Sequence, residues 1–284
     1  MSESDHTGIK EKEILHSHKT DVELVREVWD EFALKYGMDC RASTPDKYLV
    51  ELEVRTLLGH ISPGEKILDV GCGNGFTAIN LAEKRHVDVT GIDISQKMLS
   101  IARQMCEVRK KHIKSKIRFE LANILDESFK EILTDESFDV VLTKRVLINL
   151  LTWEEQKETI DRIRKLLKPG GRYILMEATE QGHDNINRLR DKMKLGRTAI
   201  RWHNNYLDEN ILLPFLKGIF DEVKMIDFSS TYYIGSRLIQ PVILKLINKE
   251  PSYDFFMNKI FSYFPSMGNY GIQKLIICKS QDGT

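Results

Sequence analysis

Apolar residues recur at three- and four-residue steps in the first ordered-looking segment: Val25, Val28, Trp29, Phe32 and Tyr36. That period predicts an amphipathic helix, with Asp21 as its cap and Gly37 as its stop. The 20 residues before it are polar, and we expect them to fray, with His16 and His18 in solvent. Thr44 and Pro45 predict the N-cap and first position of a second helix ending near Leu58. From Lys66 the pattern changes to short apolar runs alternating with amphipathic helices, as in a parallel α/β sheet. Strands are predicted at 66–70, 86–92, 116–121, 138–143, 172–178, 223–228 and 272–278. Between them, 76–84 reads as a helix, and Ser95 caps another that carries Met98, Ala102 and Met105. Thr152 and Glu155 have capping-box spacing before the stripe Ile160, Ile163, Leu167. Lys168-Pro169-Gly170-Gly171 predicts a turn. Residues 179–210 read as an irregular polar insertion, 211–216 as a helix interrupted by Pro214, and 229–269 as an aromatic-rich insertion.

Composition narrows the function. In 284 residues, 42 Lys and Arg balance 42 Asp and Glu, which argues against a dedicated nucleic-acid binder. The basic cluster from Arg109 to Arg118 ends a helix rather than a strand, so it reads as a solvated face. No apolar run is long enough to span a bilayer, and the first residues lack the apolar core of a signal peptide. The four cysteines are scattered, without zinc spacing, as in reduced cytosolic proteins. The expectation is a cytoplasmic protein without metal or membrane.

The informative stretch is Ile67-Leu68-Asp69-Val70-Gly71-Cys72-Gly73-Asn74-Gly75. Glycines between a buried strand and a helix let backbone approach a ligand closely. The spacing Gly-x-Gly-x-Gly is not the dinucleotide fingerprint, and no Gly-Lys-Ser/Thr follows. Asp69 would repel a pyrophosphate but suits a ligand with an ammonium group. Asp93 ends the second strand 22 positions after Gly71, where a doubly wound sheet places an acceptor for ribose hydroxyls.

With DVGCGNG, the GID of strand two, the FDVV strand and the LKPGG turn in this order, residues 62–228 and the last strand resemble class I S-adenosylmethionine-dependent methyltransferases. The resemblance implies a Rossmann-like, seven-stranded doubly wound sheet with an antiparallel last strand. A helical cap over 1–61 and insertions at 179–210 and 229–269 would elaborate the 62–284 domain. It also implies site residues. Gly71, Cys72, Gly73 and Gly75 would line the methionine half of the cofactor, with Asp69 at its amino group. Asp93 would hold the ribose, Ile94 would pack on the adenine, and Asn123 with Ile124 would face the adenine edge. Asn123 departs from the aspartate common in relatives. Lys144 would complete the cofactor site, and Arg145 would face the acceptor.

Methyl transfer is an in-line displacement, so alignment and exclusion of water matter most. A base is needed if the acceptor is a hydroxyl, and His203 or Glu177 is expected to supply it. Tyr36, Tyr48, Arg188, Trp202 and Tyr206 are candidate acceptor contacts. The expected activity is transfer to an oxygen or nitrogen of a small molecule such as a sugar or secondary metabolite. Three alternatives stay open: an RNA or protein methyltransferase, a non-catalytic cofactor binder, and a nicotinamide oxidoreductase. Thr143-Lys144-Arg145-Val146 replaces the Asn/Asp-Pro-Pro-Tyr/Phe segment of base-N-methylating enzymes and counts against the first. A homodimer is left open.

Overall fold

The computed structural model describes residues 20–280 except Glu136; the tail with His16 and His18 lies outside the described residues. Seven strands form one sheet in the order β3-β2-β1-β4-β5-β7-β6. They are β1 (Lys66–Val70), β2 (Asp88–Asp93), β3 (Ile117–Leu121), β4 (Phe138–Lys144), β5 (Leu167–Ala178), β6 (Glu222–Ile226) and β7 (Gln273–Lys279). All neighbours are parallel except β7, which runs antiparallel to both β5 and β6. The chain order reverses between β1 and β4, and open α/β sheets bind ligands at such a switch point. β1 and β4 are almost wholly buried, as their aliphatic composition requires for strands covered on both faces.

The helices are α1 (Asp21–Tyr36), α2 (Lys47–Leu58), α3 (Phe76–Arg85), α4 (Gln96–Arg109), α5 (Trp153–Leu166), α6 (Glu180–Lys192), α7 (Glu209–Ile219), α8 (Ser230–Ile234), α9 (Gln240–Leu246) and α10 (Phe256–Phe261). Two predicted caps move. Thr20, not Asp21, caps α1, because its hydroxyl and Glu23 close a capping box. Asp46, not Thr44, caps α2, by accepting from the Leu49 N–H. Ser95, and the Thr152–Glu155 box, cap α4 and α5 as expected. Residues 179–210 are irregular only in their second half, from Met193 to Asp208: Thr179 caps the 13-residue α6, whose buried Ile186, Asn187 and Arg190 face inward. Its high polarity hid the helix. The Lys168–Gly171 segment bulges out between two β4 pairings, Phe138 with Leu167 and Val140 with Arg172, so β5 starts earlier than the turn suggests. Pro214 is accommodated inside α7.

Candidate functional site

One cavity opens at the C-terminal ends of β1, β2 and β4. Asp69, Gly71, Cys72, Gly73, Asp93, Ile94, Asn123, Ile124, Lys144 and Arg145 all line it. Gly71 and Gly73 have φ of +67° and +54°, in the left-handed region that favours glycine. A Cβ on Gly71 would stand 2.4 Å from Val146 Cγ2, whereas Gly73 has open space beside it. Gly75 is not a wall residue. It caps α3 at φ +76°, and its missing Cβ makes room for Phe119 and Ala102.

The Asp93 carboxylate is 9% exposed and accepts from the Gly73 and Ser95 N–H groups, both at 2.8 Å. Burial raises its pKa, and the backbone N–H groups of Ser95, Gly73 and Ile94 oppose the rise. This one side chain therefore fixes both the glycine loop and the start of α4. We expect Asp93→Ala to weaken S-adenosylmethionine binding by about 1–3 kcal/mol, the worth of hydrogen bonds to a charged acceptor. Calorimetry on the folded variant checks this; unchanged affinity would refute the assignment.

Asp69 is 2% exposed, and its Oδ2 has no hydrogen-bond partner. Burial pushes its pKa up to about 7, with Lys144 opposing and Asp93 adding to the rise. A buried carboxylate oxygen left unpaired in a cavity wall is a mark of a missing cationic partner. The Asn149 Oδ1, in the same wall, is also unpaired. A ligand with an ammonium group and hydroxyls supplies what these atoms lack, so the residues fit S-adenosylmethionine.

Behind the cavity, α2 carries two buried carboxylates two turns apart. Glu53 pairs with Arg145 and lies 3.7 Å from the Lys144 ammonium. Asp46 pairs with Arg237 at 2.8 Å and accepts from the Tyr232 hydroxyl. Arg145 sits at φ +58°, and its Nη1 is buried without a partner. Burial lowers the Lys144 pKa, and Glu53 opposes that.

The N-terminal segment covers the cavity through contacts that sequence reasoning missed. Val25 and Trp29 of α1 line it. The Asn74 amide, in the middle of the glycine loop, donates to the Gly37 and Asp39 carbonyls, both at 2.9 Å. The Ser95 hydroxyl donates to Asp30 at 2.6 Å. The available signal was the Asn between Gly73 and Gly75, a side chain with two donors in a loop otherwise nearly bare.

The other candidates scatter. Glu177 is 1% exposed, so it is not a charge in water. Its carboxylate accepts from the Val146 and Leu147 N–H groups at 3.0 and 3.2 Å and, at 3.5 Å, from Ile148. Burial raises its pKa to about 7 against those donors. It thus caps the loop after β4 and does not line the cavity. His203 is 5% exposed, packed edge-on between Trp29 and Trp202, with ring centroids 6.1 and 5.4 Å away. Its Nδ1 is buried and unpaired, and burial lowers its pKa to about 4. Trp202 and Arg188 lie on the surface. Tyr36 packs on Phe32 at 5.5 Å beneath Arg41, Tyr48 lies under Lys47, and Tyr206 stands edge-on to His183 at 5.6 Å. None of these five lines the cavity, and neither does His203, which touches it only through Trp29. Of the candidate acceptor contacts, only Arg145 lines it.

Sequence families agree with this geometry. A family model described as a methyltransferase domain matches residues 61–219, more than half of the chain. The chain belongs to this family. The methyltransferase is 33% identical over 161 residues to a demethylmenaquinone methyltransferase of Symbiobacterium thermophilum, covering 55% of this chain and 59% of that protein. It is 32% identical over 117 residues to phosphoethanolamine N-methyltransferase 3 of Arabidopsis thaliana, covering 41% of this chain and 22% of that protein. It therefore spans less than two thirds of either relative. Among solved structures, magnesium protoporphyrin IX methyltransferase from Synechocystis PCC 6803 with bound S-adenosylhomocysteine superposes with a TM-score of 0.58. That match covers 92% of this chain and 100% of that one at 15% identity, which shows the fold. The cofactor of the methyltransferase is S-adenosylmethionine.

Proposed function

We propose that the methyltransferase transfers its methyl group to an oxygen or nitrogen atom of a small molecule such as a sugar or secondary metabolite. The observation that carries the reading is the cover: Val25 and Trp29 of α1 stand in the wall of the cofactor cavity and Asn74 ties down the segment after α1, which narrows the approach to a scale that suits a small acceptor. The relatives named for small acceptors support it.

When bound, S-adenosylmethionine supplies a methyl group already activated by its sulfonium. The chain's own residues then do three things. Asp69 and Asp93 hold the amino and ribose ends through charge-assisted hydrogen bonds. Arg145, held by Glu53, orients the acceptor beside the loop after β4. Trp29 and the packing around it exclude water, which strengthens these contacts. These residues would hold the acceptor's nucleophilic atom in line with that methyl group. In this scheme the neutral imidazole of His203, packed on Trp29 of the cavity wall, would receive the proton of an acceptor hydroxyl once the acceptor has displaced Trp29 enough to reach it. Glu177 keeps the post-β4 loop in place and takes no proton from the acceptor.

Label transfer tests the reading. The protein is incubated with methyl-labelled S-adenosylmethionine and a cell extract separated by size. Label is expected in the small-molecule fraction. Label in the RNA or protein fraction alone would overturn the reading.

A further inference from the structure

The segment from Ile239 to Met267 is built inside out. On α9 and its flanks, Ile239, Ile243, Leu246 and Ile247 are exposed, at spacings of four, three and one that form a single helical stripe. Phe256, Ile260, Tyr263 and Phe264 repeat the same spacing on α10 and its flank. Leu246 is 80% exposed, Met267 69% and Phe256 64%. The uncharged polar residues Gln240 and Asn258 of the same helices point inward. Both are buried, and their amides donate to the Ser252 carbonyl at 2.8 and 3.1 Å. Gln240 also donates to Asn258 Oδ1 at 3.3 Å, which places the two helices side by side. Ser262 is buried as well, its hydroxyl donating to the Lys259 carbonyl. Soluble surfaces rarely gather this many large apolar side chains, and an inverted pattern fits a surface that meets an apolar phase.

Charge says which apolar phase. Lys245, Lys249 and Lys259 are exposed among these side chains and form no ion pair among the described residues. Of the two acids in the segment, Asp254 is taken up by Lys47 at 3.0 Å, which leaves Glu250. A protein–protein interface core disfavours lysine, because its ammonium must be desolvated. At a bilayer the stem lies along the acyl boundary while the ammonium reaches the headgroups.

We propose that the α9–α10 face docks on the surface of an anionic membrane. The protein rests on the bilayer and does not cross it: among the described residues no helix is long and apolar enough to span one. Docking is independent of the methyltransferase reading, since the stripe lies outside the cofactor cavity.

Co-sedimentation with vesicles tests it. The full chain is mixed with vesicles of phosphatidylcholine alone or of phosphatidylcholine with phosphatidylglycerol. We expect sedimentation with the anionic vesicles, weakened by salt. The double variant Leu246→Ser, Phe264→Ser should lower the partition coefficient by roughly tenfold or more, since two buried apolar side chains are lost. Its binding of S-adenosylhomocysteine, measured by calorimetry, should match the wild type and so report an intact fold. Lys245→Glu with Lys249→Glu should remove the preference for anionic lipid. Wild-type protein that stays in the supernatant with both vesicles would overturn the proposal. So would concentration-dependent self-association of the wild type in ultracentrifugation that the double variant abolishes, because the face would then bind a second copy.

Discussion

Below about pH 7, affinity for S-adenosylmethionine is expected to fall by about tenfold per pH unit, and Asp69 is the cause. In the free protein burial holds the Asp69 carboxyl at about 7, so it is largely protonated in acid. The cofactor's ammonium needs the ionised form, so protons compete with cofactor. A peptide's terminal α-amino group titrates near 8, and the cofactor's amine likewise loses its positive charge on the alkaline side. The affinity maximum should therefore lie above about 7 and below the pKa of that amine. The stability of the free protein runs the other way. A carboxyl with a raised folded-state pKa contributes stability below its unfolded value, and that contribution is lost as pH rises through about 7. Cofactor should thus add more to the melting temperature at mildly alkaline than at mildly acidic pH. Titration calorimetry across pH, repeated with Asp69→Asn, checks both signs. The variant should bind weakly with a nearly flat acid limb; an acid limb kept by the variant would reassign the titrating group.

His203→Ala should lower turnover by about a hundredfold while cofactor affinity changes little, the scale of losing one positioned proton acceptor. Burial lowers the His203 pKa to about 4, so the imidazole is neutral at physiological pH and can accept a hydrogen bond, while the same burial makes it a weak base. Its Nδ1 has no internal partner to compete with the acceptor. His203→Gln separates two roles. An amide can still accept a hydrogen bond but cannot take a proton at these pH values, so rescue by Gln would make His203 a positioning residue. If His203→Ala leaves both kcat and cofactor affinity unchanged, the assignment is wrong.

Much of this architecture was legible before the coordinates. Strands buried on both faces declare themselves as aliphatic runs, and the spacing of Asp69, three glycines and Asp93 places a loop, a helix and a second strand around one ligand. Those residues depend on local chain geometry, which sequence order preserves. Helix α6 was missed because its inward face is only a few residues wide and includes Asn187 and Arg190, so apolar periodicity never emerges. The caps of α1 and α2 slipped by one or two residues because several candidate side chains adjoin and only one meets the free N–H groups. Acceptor-side residues fared worst. Glu177 reads as a strand-end charge until the three N–H groups it accepts from are seen, and those come from a loop about 30 positions away in the chain. Glu53, which holds Arg145, is 92 positions from its partner and carries no local mark.

That helix, α2, has a mechanical consequence. Its two buried acids grip opposite halves of the molecule: Glu53 holds the loop after β4, and Asp46 holds the Arg237 and Tyr232 segment that leads into the inside-out helices. A rigid rod two turns long thus yokes the place where cofactor sits to the part of the chain that would meet a membrane. Loss of either acid would therefore leave a buried cation without its counter-ion at one end of the helix while the other end keeps its own.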